Sequence, residues 1–274
     1  MHGKSSRKKD NRTQKATTAK VTTVMTMNTE NVLSDNRLVF SKDLYVKSYD
    51  SDMFKQMSLP AIMRYLQEIA GEHLSLLGLP YEKLFSDGAV FLLSSLEIHI
   101  YTPPVLWQDI ILSTWSYGIK GATFVRNSRI CDKNGNVLVE ASAGWFLADP
   151  QTHRIVRPKD YPPVLAIPEN PDPVFSNGRF HISRPADAKK LCDREILFSD
   201  ADYNRHLNNT KYAEIITDIY SRKLEDSRIS HFKIIYAGEA RVFDTVEIFE
   251  SGDILLGTKN GQRCFECETE FVKR

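Results

Sequence analysis

The chain has 274 residues, 42% of them hydrophobic and 26% charged, with a formal net charge of +1. That length fills one large core or two small ones, and no apolar run reaches the roughly 18 residues of a membrane-spanning helix, so no span is expected. Residues 1–30 carry seven Lys/Arg against two acids, which leaves the rest slightly negative; bulk electrostatics therefore argues against a nucleic-acid binder.

In chain order, residues 1–35 are rich in Lys, Arg, Thr and Ser and read as a disordered basic tail. Met25 and Met27 offer alternative starts, and the acid-poor composition is also similar to a transit peptide. With no secretory apolar segment and four cysteines, a reduced cytoplasmic setting is expected, the plastid stroma being the alternative. A helix is predicted from about Ser58 to Leu77. Leu59, Ile62, Met63, Leu66, Ile69 and Ala70 form its apolar stripe, Ser58 can cap it, and Pro60 fits its first turn. Several antiparallel strands follow, with a hairpin at Asn134-Gly135. Residues 158–173 hold six of the twelve prolines and read as an extended linker over the surface. A second helix is predicted from about Asn209 to Leu224, with Tyr212, Ile215, Ile216 and Ile219 on one face. Strands and a hairpin at Asn260-Gly261 complete the chain.

Cys264 and Cys267 form a CxxC in QRCFECETEFV. Strand alternation puts Phe265, Cys267, Thr269 and Phe271 on one face and Glu266, Glu268 and Glu270 on the other, so the two sulfurs are expected to diverge rather than share a metal.

The two halves repeat one plan. IHIYTPPVLWQDIIL aligns without gaps on KIIYAGEARVFDTVE, matching Tyr101 to Tyr236, Asp109 to Asp244 and Pro104 to Glu239. DMFKQMSLPAI aligns on DYNRHLNNTKY, matching Asp52 to Asp202, Phe54 to Asn204 and Gln56 to His206. The amide, the imidazole and the strand acid thus occur only in the second copy. One active site per pair of copies is expected, with the first copy supplying the other wall of the cleft.

The chemistry is concentrated in SDADYNRHLNNTKY, Ser199 to Tyr212, where a carboxylate, an amide and an imidazole gather before a helix N-terminus that favours negative charge. An EF-hand reading fails because Arg205 and Lys211 stand where that loop needs Gly and Glu. His206 has no nearby His or Cys to share a zinc ion, so no metal is expected.

Asp202, Asn204, His206, Asn208, Asn209 and Tyr212, followed by Tyr236, Glu239 and Ala240, resemble the paired motifs of the acyl-acyl-carrier-protein thioesterases. Trp107 with Asp109, the run Thr114 to Gly121, and Asn134 to Asp149 also match in order, so the resemblance covers about residues 36–274. It implies an α+β fold, a tandem double hotdog in which each half wraps a curved antiparallel sheet around a long helix. The halves would be residues 36–157 and 178–274, joined by the linker 158–177. It implies hydrolysis of fatty acyl-acyl carrier protein in fatty-acid biosynthesis, without metal or cofactor, by a monomer or homodimer. A dehydratase, an acyl-CoA thioesterase and a non-catalytic acyl-thioester sensor are the alternatives. Ala240 stands where some members carry Cys, so a cysteine nucleophile there is excluded.

The implied catalytic set is Asp202, Asn204, His206 and Glu239. Glu239 would act as general base or water-holder, Asn204 would polarise the carbonyl or orient water, and His206 would donate or accept a proton. Asp202 would orient its neighbours, an attacking carboxylate remaining open. Met63 and Leu66 are assigned to the acyl pocket, Asn208 and Tyr212 to substrate binding, and Arg205, Lys211 and Arg241 to docking the acidic carrier protein.

Overall fold

The computed structural model describes residues 37–175 and 180–274. The basic tail expected at residues 1–35 lies outside the described residues, as do residues 176–179 of the linker region. The first half runs β1 (Phe40–Tyr45), α1 (Leu59–Leu76), α2 (Tyr81–Ser86), β2 (Val90–Ile100), β3 (Asp109–Lys120), β4 (Thr123–Asp132) and β5 (Val137–Ala148). The second runs β6 (Lys189–Glu195), α3 (Asn209–Ile219), β7 (Ser227–Tyr236), β8 (Thr245–Ser251), β9 (Ile254–Lys259) and β10 (Gln262–Lys273).

All ten strands form one antiparallel sheet in the order β1-β3-β4-β5-β2-β7-β10-β9-β8-β6. The halves are mirror-ordered and joined at the β2–β7 seam, where Ser95 pairs with Ile235 and His99 with His231. Buried Glu97 on β2 lies 2.9 Å from Nε2 of His231 on β7, an ionisable contact across the seam. The seam leaves the curved sheet without an open edge at its centre.

The helices form where the sequence places them. Ser58 Oγ accepts from the Ala61 amide at 3.3 Å and Pro60 sits in the first turn, as expected of a capped start. Ile62, Ile69, Met63 and Leu66 of α1 are buried in one core with Ile98, Ile110 and Ile130 of the sheet. Each fully buried side chain of this size contributes about 1.5–3 kcal/mol. Ile215 and Ile216 of α3 join the same core, and the two long helices pack against each other. The second helix stops at Ile219, short of the expected Leu224. Tyr220 is buried with its ring edge-on to Phe271, and a short 3-10 turn at Lys223–Glu225 carries the chain into β7.

The repeat holds, with one correction to its alignment. Met57 N–H donates to Pro104 O as Leu207 N–H donates to Ala240 O. Val105 N–H reaches Gln108 Oε1 as Arg241 N–H reaches Asp244 Oδ2. The equivalents of Glu239 and Asp244 are therefore Pro103 and Gln108, one residue from the ungapped match. A proline at either place denies the first copy an acid.

Two further expectations change. Glu266, on the face opposite Cys267, is buried, 1% exposed, and is neutralised by Arg263 and Arg184. Its counterpart Glu140 is buried in the same way, with Arg129 at 2.8 Å. A register shift between Arg263 and Phe265 breaks strand alternation, and Cys264 and Cys267 both enter the core as free thiols. The proline-rich segment contains two 3-10 turns and is fastened to the first half. Trp115 Nε1 donates to Asp172 O at 2.9 Å, and Asn170 N–H to Ser116 O at 2.8 Å.

Candidate active site

The loop before α3 is built by one carboxylate oxygen. Asp202 Oδ1 accepts the amides of Asn204 at 2.8 Å and His206 at 3.3 Å, closing a tight turn with Arg205 at φ +66°. Asp52 does the same in the first half, holding the amides of Phe54 and Gln56, both at 2.9 Å, with Lys55 at φ +62°. The backbone is thus common to both copies, and only the side chains it displays differ. Asp202 shapes the loop, which explains why an acid persists in the copy that lacks the rest of the constellation.

Glu239 follows β7 in a second loop drawn close to the first. Leu207 N–H donates to Ala240 O at 2.8 Å, and a bridge joins His206 to Arg241. On the other side the amides of Ala237 and Gly238 donate to Cys264 O. A Cβ at Gly238 would lie 2.5 Å from Arg263 O, so only glycine permits this approach. Lys259 Nζ fixes the loop from below, donating to the Glu239 carbonyl at 3.0 Å and to Asp244 at 2.9 Å. The result places His206 Nε2 3.2 Å from Glu239 Oε2, with Arg241 Nη2 at 3.7 Å.

The other carboxylate oxygen is met from the first half. His153 Nδ1 lies 3.1 Å from Glu239 Oε1, and the two imidazoles stand edge-on with ring centres 6.4 Å apart. His153 ends a turn after β5 in which Asp149 Oδ1 accepts the amides of Gln151 and Thr152. No sequence motif marks it. It is an isolated histidine in DPQTH, and only the side-by-side arrangement of the halves brings it to the acid.

These groups open onto a cleft of about 880 Å³. Asp202, Asn204, Arg205, His206, Glu239 and Arg241 line one side; Tyr81, Phe85, Phe91 and His153 of the first half line the other. Met63 and Leu66 instead line a narrow apolar pocket of about 20 Å³ between α1 and the sheet, reached by Asn209 and Thr210 at the start of α3. Its polar part holds buried Arg126, with Gln67 Oε1 and Trp145 Nε1 buried without hydrogen-bond partners.

Three expected substrate-binding residues are not brought to either cavity. Asn208 caps α3, its Oδ1 accepting from the Thr210 amide at 2.8 Å. Lys211 pairs with Glu214 at 2.7 Å along its own helix. Tyr212 is buried between the rings of Tyr236 and Phe265. Among the described residues no group of three or more metal-ligating side chains converges, and no helix is long and apolar enough to cross a membrane.

Residues 37–161 match the family model of the acyl-ACP thioesterase N-terminal domain, and residues 184–273 that of the C-terminal domain. A chloroplastic palmitoyl-acyl carrier protein thioesterase of Cuphea hookeriana is 24% identical over 196 residues, covering 64% of this chain and 45% of that protein. Its Arabidopsis thaliana counterpart is 26% identical over 192 residues with the same coverage. The chain thus spans less than half the length of these curated relatives. Among solved structures, an acyl-ACP thioesterase from Bacteroides thetaiotaomicron superposes with a TM-score of 0.76 at 21% identity, covering 87% of this chain and 99% of that one. The 12:0-ACP thioesterase of Umbellularia californica gives 0.76 at 17% identity, covering 86% and 98%. The fold is the tandem double hotdog.

Proposed function

We propose that this chain, which belongs to the acyl-ACP thioesterase family, hydrolyses the thioester between a fatty acyl group and acyl carrier protein to release the free acid. The observation that carries this reading is the Glu239 carboxylate in the cleft, held by His206 and Arg241 in the one copy of the repeat that displays them. Hydrolysis needs an activated water and a polarised carbonyl. Glu239 supplies the negative charge around which a water is ordered. Asn204, exposed at the same cleft, supplies amide donors for the thioester carbonyl. Asp202 shapes the loop through its accepted amides. The acyl chain runs from the cleft past Leu92 and Leu93 of β2, which line the cleft and the narrow pocket respectively, towards Met63 and Leu66. Side-chain movement widens that pocket on binding.

The test is to incubate the purified protein with a ladder of acyl-acyl carrier protein thioesters and to identify the products. Free fatty acids are expected, and Glu239→Gln should reduce turnover by about a hundredfold or more, the scale of losing a group that positions and activates the water. An enoyl product would indicate a dehydratase. Binding without turnover would indicate a sensor, and unchanged turnover in the variant would refute the site.

A further inference from the structure

We infer that His153 is the proton acceptor that activates the hydrolytic water, contributed by the first half to the acid of the second; this rests on the thioesterase reading above. An imidazole nitrogen lies 3.1 Å from Glu239 Oε1, an ion-pair contact that is attractive only when that nitrogen carries the proton. That nitrogen is Nδ1 of His153. The neutral ring therefore keeps its lone pair on Nε2, the nitrogen farther from its own backbone. The same reasoning favours a proton on Nε2 of His206, which leaves its lone pair on Nδ1, the nitrogen nearer its own backbone. The side-chain exposures agree, 48% for His153 against 22% for His206. An acid holding Nδ1–H and leaving Nε2 free is the relation that makes histidine a general base in acyl transfer, the acid fixing the tautomer and stabilising the imidazolium.

The backbone supports a dedicated role. His153 adopts φ +57°, a left-handed conformation that costs a non-glycine residue about 1 kcal/mol or more. The turn is pinned by His153 N–H donating to Asp149 O at 2.9 Å and Asp149 N–H donating to Arg154 O at 2.9 Å. The segment after the last strand of each half crosses to the other half's loop. After β5 it delivers His153 to Glu239. After β10 it delivers Arg274, whose Nη1 donates to Gln56 Oε1 at 2.6 Å and whose guanidinium covers the Phe54 ring at 3.5 Å. In the copy without chemistry the crossing residue seals the loop; in the copy with it, the crossing residue is a base.

The step balances as follows. Water gives a proton to His153 Nε2 while its oxygen pair attacks the thioester carbonyl carbon, and the carbonyl π pair moves to oxygen. Collapse breaks the carbon–sulfur bond, and the departing thiolate takes the proton from the imidazolium. The products are the carboxylic acid and the carrier thiol.

The discriminating variant is His153→Asn, whose amide N–H replaces Nδ1–H towards Glu239 but offers no nitrogen lone pair. The expected result on an acyl-acyl carrier protein substrate is a fall in kcat of about a hundredfold or more with KM little changed. Partial recovery of His153→Ala by added imidazole is also expected, with melting temperatures close to the parent. If the parent is active and His153→Asn keeps activity within a few-fold, the ring only positions Glu239 and the inference fails. If the parent hydrolyses no acyl thioester, the thioesterase reading itself fails.

Discussion

Acidification should cost this protein stability through one buried histidine that does not line the cleft. His73 of α1 is fully buried, stacked on Phe40 with ring centres 5.8 Å apart. Its Nε2 lies 3.0 Å from Arg37 O and must donate; Nδ1 then accepts from Arg126 Nη1 at 3.0 Å. Burial and the Arg126 guanidinium hold the imidazole in its neutral form, pushing its pKa down to about 4 from 6.5. Because the folded-state value is depressed, the unfolded chain takes up the proton first. The stabilisation is complete above the unfolded value and is lost as pH falls from about 6.5 towards 4. Between pH 7 and pH 5 the expected loss is about 2 kcal/mol, equivalent to about 4–8 °C in melting temperature for a chain of this size. The assay is thermal or urea unfolding at several pH values for the parent and His73→Gln, which retains one donor and one acceptor but does not titrate. His99, whose pKa is lowered by burial, and His231, raised by Glu97, contribute with opposite signs in both proteins and cancel in the difference. The parent should lose about 2 kcal/mol more than the variant across this range. Parallel curves would refute the buried neutral His73.

Gly257→Ala should be destabilising by about 1–3 kcal/mol, because its Cβ would fall 2.0 Å from the Phe265 ring; an unchanged urea midpoint would show that the ring has room to move. Replacing all four cysteines with Ala should leave most activity. Cys264 and Cys267 are sealed in the core, and burial pushes the Cys267 thiol up to about 12, so rapid inactivation by a thiol reagent would contradict this assignment. Arg205 and Arg241 flank the cleft, whereas Lys211 is engaged by Glu214. Arg205→Glu should therefore raise KM for a carrier-protein thioester by several-fold, an effect that shrinks with salt, while sparing a small soluble thioester. Equal losses on both substrates would place Arg205 in the chemistry or the fold instead.

The local rules of the sequence were sufficient for the repeat, both helix starts and the constellation before α3. Ser58, Pro60 and the apolar stripe act within a few residues of each other, and Asp202 closes its turn on amides two and four residues away. Such short-range geometry is written in residue order. The alignment slip between Pro104 and Pro103, the burial of Glu266 and the entry of Cys264 into the core were not, because a register shift or a distant arginine changes which face a residue presents. Lys211 and Tyr212 looked like substrate contacts by proximity in sequence, yet an ion pair and two neighbouring rings claim them. His153 shows the limit most clearly. It lies 86 residues from Glu239 in the chain, in a turn with no motif of its own. Antiparallel pairing of β2 with β7 sets the two halves side by side, and that pairing alone decides which histidine meets the free oxygen of the acid.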